Sequence, residues 1–189
     1  MSKKVAAITI TFNRLELTKR TWESFNAKTG VDFHLFVDNG STDGTVEWLQ
    51  DKYRILLDKN YGIAAAFYYG VQQLQDYDYI LKLDNDDYWG DGHLQGIADE
   101  IGDLDWAYFN DWVYNGTDFI PRNCDIKRLG ANGTSNICHR KSLGVLWGHR
   151  GYAHDHYFNQ KLLRFRNYKK INAGEYCVCH IPGGAGYDL

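Results

Sequence analysis

Along the first hundred residues, short apolar runs alternate with stretches in which apolar side chains recur every three or four positions. Val5–Thr11 is rich in β-branched residues and predicts a buried strand. Leu15, Thr18, Trp22 and Phe25 follow at helical spacing, with Asn13 offered as the N-cap. Phe33–Asp38 reads as a second strand, ending in the turn cluster Asn39-Gly40-Ser41-Thr42-Asp43-Gly44 and a short helix with Val46 and Leu49. Residues 53–57 form a third strand, and Ile63, Phe67, Gly70 and Leu74 mark the next helix. Residues 79–83 are a fourth strand that runs into Asp84-Asn85-Asp86-Asp87. Leu94, Ile97, Ala98 and Ile101 give another helix, and residues 106–113 another strand.

This alternation implies βαβ units: an α/β fold with a mostly parallel central sheet flanked by helices. Ligands of such sheets bind at the carboxyl ends of the strands. The polar ends Thr11-Phe12-Asn13-Arg14, Asp38 and Asp84-Asn85-Asp86-Asp87 all fall on that edge. Beyond about residue 114 the pattern loosens. Residues 115–131 read as a loop or irregular hairpin, 135–138 as a strand and 140–146 as a short helix. Residues 155–165 read as a helix with Phe158, Leu162 and Phe165 on one stripe, and 176–181 as a last strand before a Gly-rich tail. No repeat or linker divides the chain, so residues 1–189 are expected to form a single domain.

Composition narrows the class. Hydrophobic residues at 44% and charged residues at 24% suit a globular protein and exclude a disordered chain. No apolar run approaches the ~18 residues of a membrane span. Without a recognisable signal peptide, a cytoplasmic location and reduced Cys124, Cys138, Cys177 and Cys179 are expected. The net charge of −3 conceals a division: residues 122–189 carry +7 and residues 1–121 carry −10. An acidic metal-binding half facing a basic half toward an anionic partner is one reading, and an unevenly charged solvated surface is the plainer one.

Asp84, Asp86 and Asp87 are hard oxygen donors at a strand end, the type that holds Mg²⁺ or Mn²⁺ beside phosphate. An alternating strand end lets one carboxylate touch a metal while another orients substrate; a solvated acidic turn is the alternative. Asp38 either accepts a pyrimidine imide N–H or caps the glycine turn after it. Phosphate loops of nucleotidyltransferases need glycine after the first strand, and Thr11–Arg14 has none.

With these residues in view, the chain resembles a non-processive family 2 glycosyltransferase of the GT-A fold. Residues 5–14 resemble that family's first strand and nucleotide-contacting turn. Val37-Asp38-Asn39-Gly40-Ser41-Thr42-Asp43-Gly44-Thr45 resembles its second-strand motif, and Asn60-Tyr61-Gly62-Ile63-Ala64-Ala65-Ala66 its Asn-x-Gly-x-Ala-x-Ala segment, with Tyr68 where Asn is usual. Leu83-Asp84-Asn85-Asp86-Asp87 resembles the DXD motif. More loosely, residues 154–162 resemble the Glu-Asp motif helix, with His154 replacing Glu, and His180-Ile181-Pro182-Gly183-Gly184 the late metal-closing segment.

The resemblance implies a nucleotide-sugar-binding half over residues 1–113 and an acceptor-binding half over 114–189. It implies a donor that is a nucleotide-diphosphate sugar, preferably UDP-linked. Thr11, Asn13 and Asp38 would hold the nucleoside and Asp84 the ribose or sugar, with Arg14, Asn60, Gly62 and Asn85 completing the donor site. Asp86 and His180 would ligate Mn²⁺ or Mg²⁺, and Asp155 would be the general base of an inverting transfer. His154 and His156, as sequence neighbours of Asp155 on a helix, are not expected to pair with it. The acceptor would be a saccharide or lipid-linked glycan. A hydroxymethylated DNA base is the alternative acceptor, and a non-catalytic nucleotide- or glycan-binding module the alternative of another class.

Overall fold

A computed structural model describes residues 3–26, 33–90, 93–114, 117–147, 154–172 and 176–178. The strands are β1 (Val5–Thr11), β2 (Phe33–Asp38), β3 (Arg54–Leu56), β4 (Tyr79–Lys82), β5 (Tyr88–Trp89), β6 (Trp106–Phe109), β7 (Asp111–Tyr114), β8 (Phe119–Arg122), β9 (Ile137–Arg140), β10 (Tyr168–Ile171) and β11 (Tyr176–Val178). The helices are α1 (Leu15–Asn26), α2 (Thr45–Trp48), α3 (Ile63–Gln73), α4 (His93–Ile101) and α5 (His154–Leu162).

The main sheet has seven strands in the order β10-β6-β9-β4-β1-β2-β3. β1 is paired in parallel with β2 and β4, and both its faces are covered, so its side chains divide by parity. Ala6 and Ile8 join Phe67, Val71, Phe158 and Leu162 of α3 and α5 on one face. Val5 and Ala7 join Ile97 and Ile101 of α4 on the other. Burial on both sides explains why the strand reads as a continuous apolar run.

Four of the six pairings are parallel; β9 runs antiparallel between β4 and β6. A strand from the second half thus lies inside the first half's sheet, and the two halves share one core. The strand expected over 106–113 is two. β6 ends at Phe109, Asn110 turns outward, and β7 enters a second sheet of order β5-β11-β7-β8. Asp111 at that break is fully buried and takes a bidentate grip from Arg122 of β8, with Arg122 Nε 2.7 Å from Oδ1. The irregular hairpin expected over 115–131 supplies β8, antiparallel to β7. β10 is absent from the sequence reading because Lys169 and Lys170 hide its alternation, as suits an edge strand. Tyr168 anchors it by stacking on Trp106, rings 4.1 Å apart and 10° from parallel.

Two histidines are enclosed. Burial pushes His34 down to about 3 and His139 down to about 4, although a backbone contact to Arg140 opposes the latter. Both imidazoles are therefore neutral when folded and titrate near 6.5 when unfolded. Their contribution is intact above pH 6.5 and is lost as the pH falls toward 4 and 3, because only the unfolded chain takes the protons. Urea unfolding should lose up to about 2.7 kcal/mol per pH unit in that window, the limit for two protons. His139→Leu should flatten the slope; an unchanged slope would remove His139 from the account.

Candidate active site

The loop after β1 is held in an unusual backbone state. Asn13 (φ 57°) and Arg14 (φ 64°) are consecutive non-glycine residues in the left-handed region. Their cost is offset by the neighbouring loop. Asn13 N–H donates to Ser41 Oγ (2.7 Å), Thr42 N–H donates to Asn13 Oδ1 (2.9 Å), and Leu15 N–H donates to Asp43 Oδ2 (2.9 Å). Asn13 therefore clasps the two loops instead of capping α1, and Asp43 takes the first helical N–H. Thr11 is fully buried; its hydroxyl lies 2.8 Å from Thr18 Oγ1 and accepts Asn85 Nδ2 at 3.3 Å. Thr11 and Asn85 are both buried, and their mutual hydrogen bond ties the loop after β1 to the turn after β4.

Asp38 realises one of its two sequence readings with one oxygen. Oδ1 accepts Gly40 N–H (3.1 Å) and Ser41 N–H (2.8 Å), while the buried Oδ2 has no partner among the described residues. Gly40 is required: at φ +88° an added Cβ would sit 2.6 Å from Lys59 Cα. That close approach joins two motifs separated in sequence. Asn39 Nδ2 donates to Asn60 Oδ1 (2.8 Å), Tyr61 N–H to Asn39 Oδ1 (3.0 Å) and Gly62 N–H to Asn60 Oδ1 (2.8 Å). Asn60 and Gly62 thus shape the start of α3 beside Asp38.

After β4, Asp87 N–H closes a turn on Asp84 O at 3.1 Å. Asp86 projects toward the β1 loop and meets Arg14 Nη1 at 3.2 Å. Its pKa is raised by burial and next by Asp84, with Arg14 opposing, so the carboxylate still lacks positive charge. Asp84 points the other way. Oδ1 accepts Lys82 Nζ and Oδ2 accepts Ser135 Oγ at 2.7 Å. Burial alone would raise the Asp84 pKa, but Lys82 and then the Ser135 hydroxyl bring it below the ordinary value.

Lys82 is only 5% exposed, although it lies in the middle of an apolar run. Burial disfavours its charge, yet Asp84 and next Asp155 turn the shift upward. The ammonium also donates to Thr134 Oγ1 (3.3 Å) and stands 4.5 Å from the centre of the Trp147 ring. Thr134 Oγ1 in turn donates to Asp155 Oδ1 at 2.9 Å. A continuous polar chain therefore runs from the Asp84 turn to the first turn of α5. His154 Nε2 lies 3.4 Å from Asp155 Oδ1, contrary to the expectation that sequence neighbours would not meet. As the first residue of α5 it folds back over the helix end, edge-on to Trp147.

Of the expected site residues, Asn13, Arg14, Asp38, Asn60, Gly62, Asp84, Asp86 and Asp155 line the carboxyl edge or its polar chain. His180 lies outside the described residues. Lys82, Thr134 and Ser135 carry no signal as site residues in the motifs of the sequence. A lone lysine inside an apolar strand was the available signal, since buried lysines are almost always paired. No group of three His, Cys, Asp or Glu side chains placed to hold a metal occurs among the described residues. A single carboxylate, Asp86, is nonetheless a fitting donor set for Mg²⁺ or Mn²⁺, which complete their shells with water and substrate phosphate.

The profile of the family described as Glycosyl transferase family 2 matches residues 6–171. The chain belongs to that family. The chain is 28% identical over 110 residues to Bacillus subtilis YwdF, described as an uncharacterized glycosyltransferase. That match covers 56% of this chain and 41% of YwdF, so the chain spans less than half of the relative. Its fold is GT-A. S. aureus TarS residues 1–349 in complex with UDP-GlcNAc superposes with a TM-score of 0.77 at 19% identity, over 95% of this family 2 chain and 59% of TarS 1–349. Glucosyl-3-phosphoglycerate synthase from Mycobacterium tuberculosis, in complex with Mn²⁺, UDP and phosphoglyceric acid, gives 0.68 at 12% identity, over 95% of this chain and 72% of that one. Mannosyltransferase PcManGT from Pyrobaculum calidifontis, with GDP-Man and Mn²⁺, gives 0.67 at 12%, over 98% and 59%. Among the described residues no helix is long and apolar enough to cross a membrane.

Proposed function

We propose that this chain moves a sugar from a UDP-sugar to an acceptor hydroxyl with inversion. The observation that carries the reading is the polar chain from Asp84 to Asp155, which ties a carboxylate of the acceptor-side helix to the donor-side turn. In the reaction the acceptor oxygen attacks the anomeric carbon as its proton passes to Asp155 Oδ2. The bond from that carbon to the diphosphate oxygen breaks, and the electron pair leaves with UDP. Arg14 and Asp86 face the diphosphate, Asp84 holds the sugar, and the free Oδ2 of Asp38 receives the uracil imide N–H. A divalent cation on Asp86, with His180 as the further ligand, would neutralise charge developing on the leaving diphosphate.

A glycan hydroxyl suits the acceptor half better than DNA. Much of the positive charge in residues 122–189 is engaged within the fold. Arg122 holds Asp111, Arg140 the carbonyls of Asp103 and Leu104, Lys141 those of Leu74 and Gln75, and Lys161 that of Leu146. Lys169 holds Glu100, and Lys170 holds Asn123 and Cys124. A salt-insensitive reaction on saccharide acceptors supports this choice, and a steep salt dependence on hydroxymethylated DNA would reverse it.

The donor assignment is tested at Asp38. Uracil offers an imide N–H to a carboxylate, whereas cytosine presents an acceptor at the same ring position. Asp38→Asn places an amide N–H there, so UDP affinity should fall about 10-fold or more, the scale of one charged hydrogen bond. The UDP-over-CDP preference should narrow. Calorimetric titration of both nucleotides checks this, and an unchanged preference would remove Asp38 from base recognition. UDP binding without turnover of any nucleotide sugar would leave the non-catalytic module.

A further inference from the structure

We propose that Lys82 and Thr134 form a positioning relay that sets the Asp155 carboxylate against the donor sugar. The assignment rests on the glycosyltransferase reading above and adds two residues that no motif of the sequence marks.

The chemistry of the donors fixes the direction of the relay. An ammonium has no acceptor, so Lys82 Nζ donates both to Asp84 Oδ1 and to Thr134 Oγ1. The Thr134 hydroxyl has one hydrogen and, having accepted from Lys82, sends it to Asp155 Oδ1. Oδ1 of Asp155 is thereby held, and Oδ2 is the oxygen left to take the acceptor proton. Two carboxylates that would repel each other are linked through one buried cation. Lys82 cannot readily swing away, because its ammonium is enclosed beneath the Trp147 ring and Thr134 is itself 4% exposed. The elements involved are independent in sequence: Lys82 ends β4, Thr134 begins the 3₁₀ turn Thr134–Asn136, and Asp155 lies in the first turn of α5. A general base needs this restraint, because a displacement of about 1 Å at a reacting group can cost about 10²-fold in rate.

The experiment measures Mn²⁺-dependent hydrolysis of UDP-GlcNAc and UDP-glucose, with water standing in for the acceptor. The Thr134→Val variant keeps the shape and deletes the hydroxyl, while Thr134→Ser keeps the hydroxyl. Thr134→Val should lower kcat about 10- to 10²-fold with UDP affinity unchanged, and Thr134→Ser should retain most of that turnover. Lys82→Met should lower kcat at least as far, and thermal unfolding identifies any folding defect in that variant. In an Asp155→Asn background, Thr134→Val should add little, because residues acting as one unit are not additive. Equal turnover in Thr134→Val, Thr134→Ser and the unaltered protein would overturn the relay, as would a full Thr134→Val loss that persists in Asp155→Asn. If the unaltered protein binds no UDP and turns over neither sugar, the parent reading falls instead, and the relay with it.

Discussion

Asp155→Asn should lower sugar transfer by about 10²–10⁴-fold, the usual cost of a lost general base. The amide retains the shape of the carboxylate and can still accept the Thr134 hydroxyl through its oxygen, so α5 should keep its first turn. It cannot take a proton from the acceptor. UDP affinity should stay within about twofold, because the proposed nucleoside and diphosphate contacts are on the loops after β1, β2 and β4. Transfer kinetics and UDP titration on the same preparation provide the check. Near-normal turnover in a folded Asn variant would assign the base elsewhere, and a product of retained anomeric configuration would exclude the single-displacement scheme.

Removing the divalent cation should weaken UDP binding about 10- to 10²-fold, the scale of a charge-assisted contact. Asp86 and Asp84 already crowd negative charge beside the proposed diphosphate position, and Lys82 is committed to Asp84 and Thr134. Arg14 already pairs with Asp86 at 3.2 Å, so its charge is shared between that carboxylate and the ligand. EDTA and Asp86→Ala should therefore each weaken UDP, and EDTA should have little further effect on Asp86→Ala. Calorimetry with Mn²⁺, with Mg²⁺ and after chelation distinguishes these cases. Equal UDP affinity in all of them would remove the metal from the scheme and leave Arg14 as the diphosphate contact.

Much of the donor side was legible in the sequence because its signals are local. The strand ends at Thr11 and Asp38 and the stop before Asp84 follow from apolar runs that give way to polar residues, and a parallel sheet brings such ends to one edge. The left-handed Gly40 announces its own turn. Local pattern does not say which polar side chain faces a ligand and which one braces a loop. Thr11 and Asn85 meet each other across 74 residues, because loops at a crowded edge must satisfy their buried polar groups.

The sequence by itself determined the βαβ framework, the acidic edge and Asp155 as a carboxylate near the start of a helix. Only the tertiary structure decided that residues 106–113 divide between two sheets, since Asp111 is buried by Arg122 eleven residues away. Only it could bring β9 between β4 and β6, so that Thr134 and Ser135 reach Lys82 and Asp84 across separations of 52 and 51 residues. The physical reason is the same in each case. A strand or helix reports itself through the spacing of its own side chains, whereas a buried charge is stable only beside partners that the fold, not the local sequence, delivers.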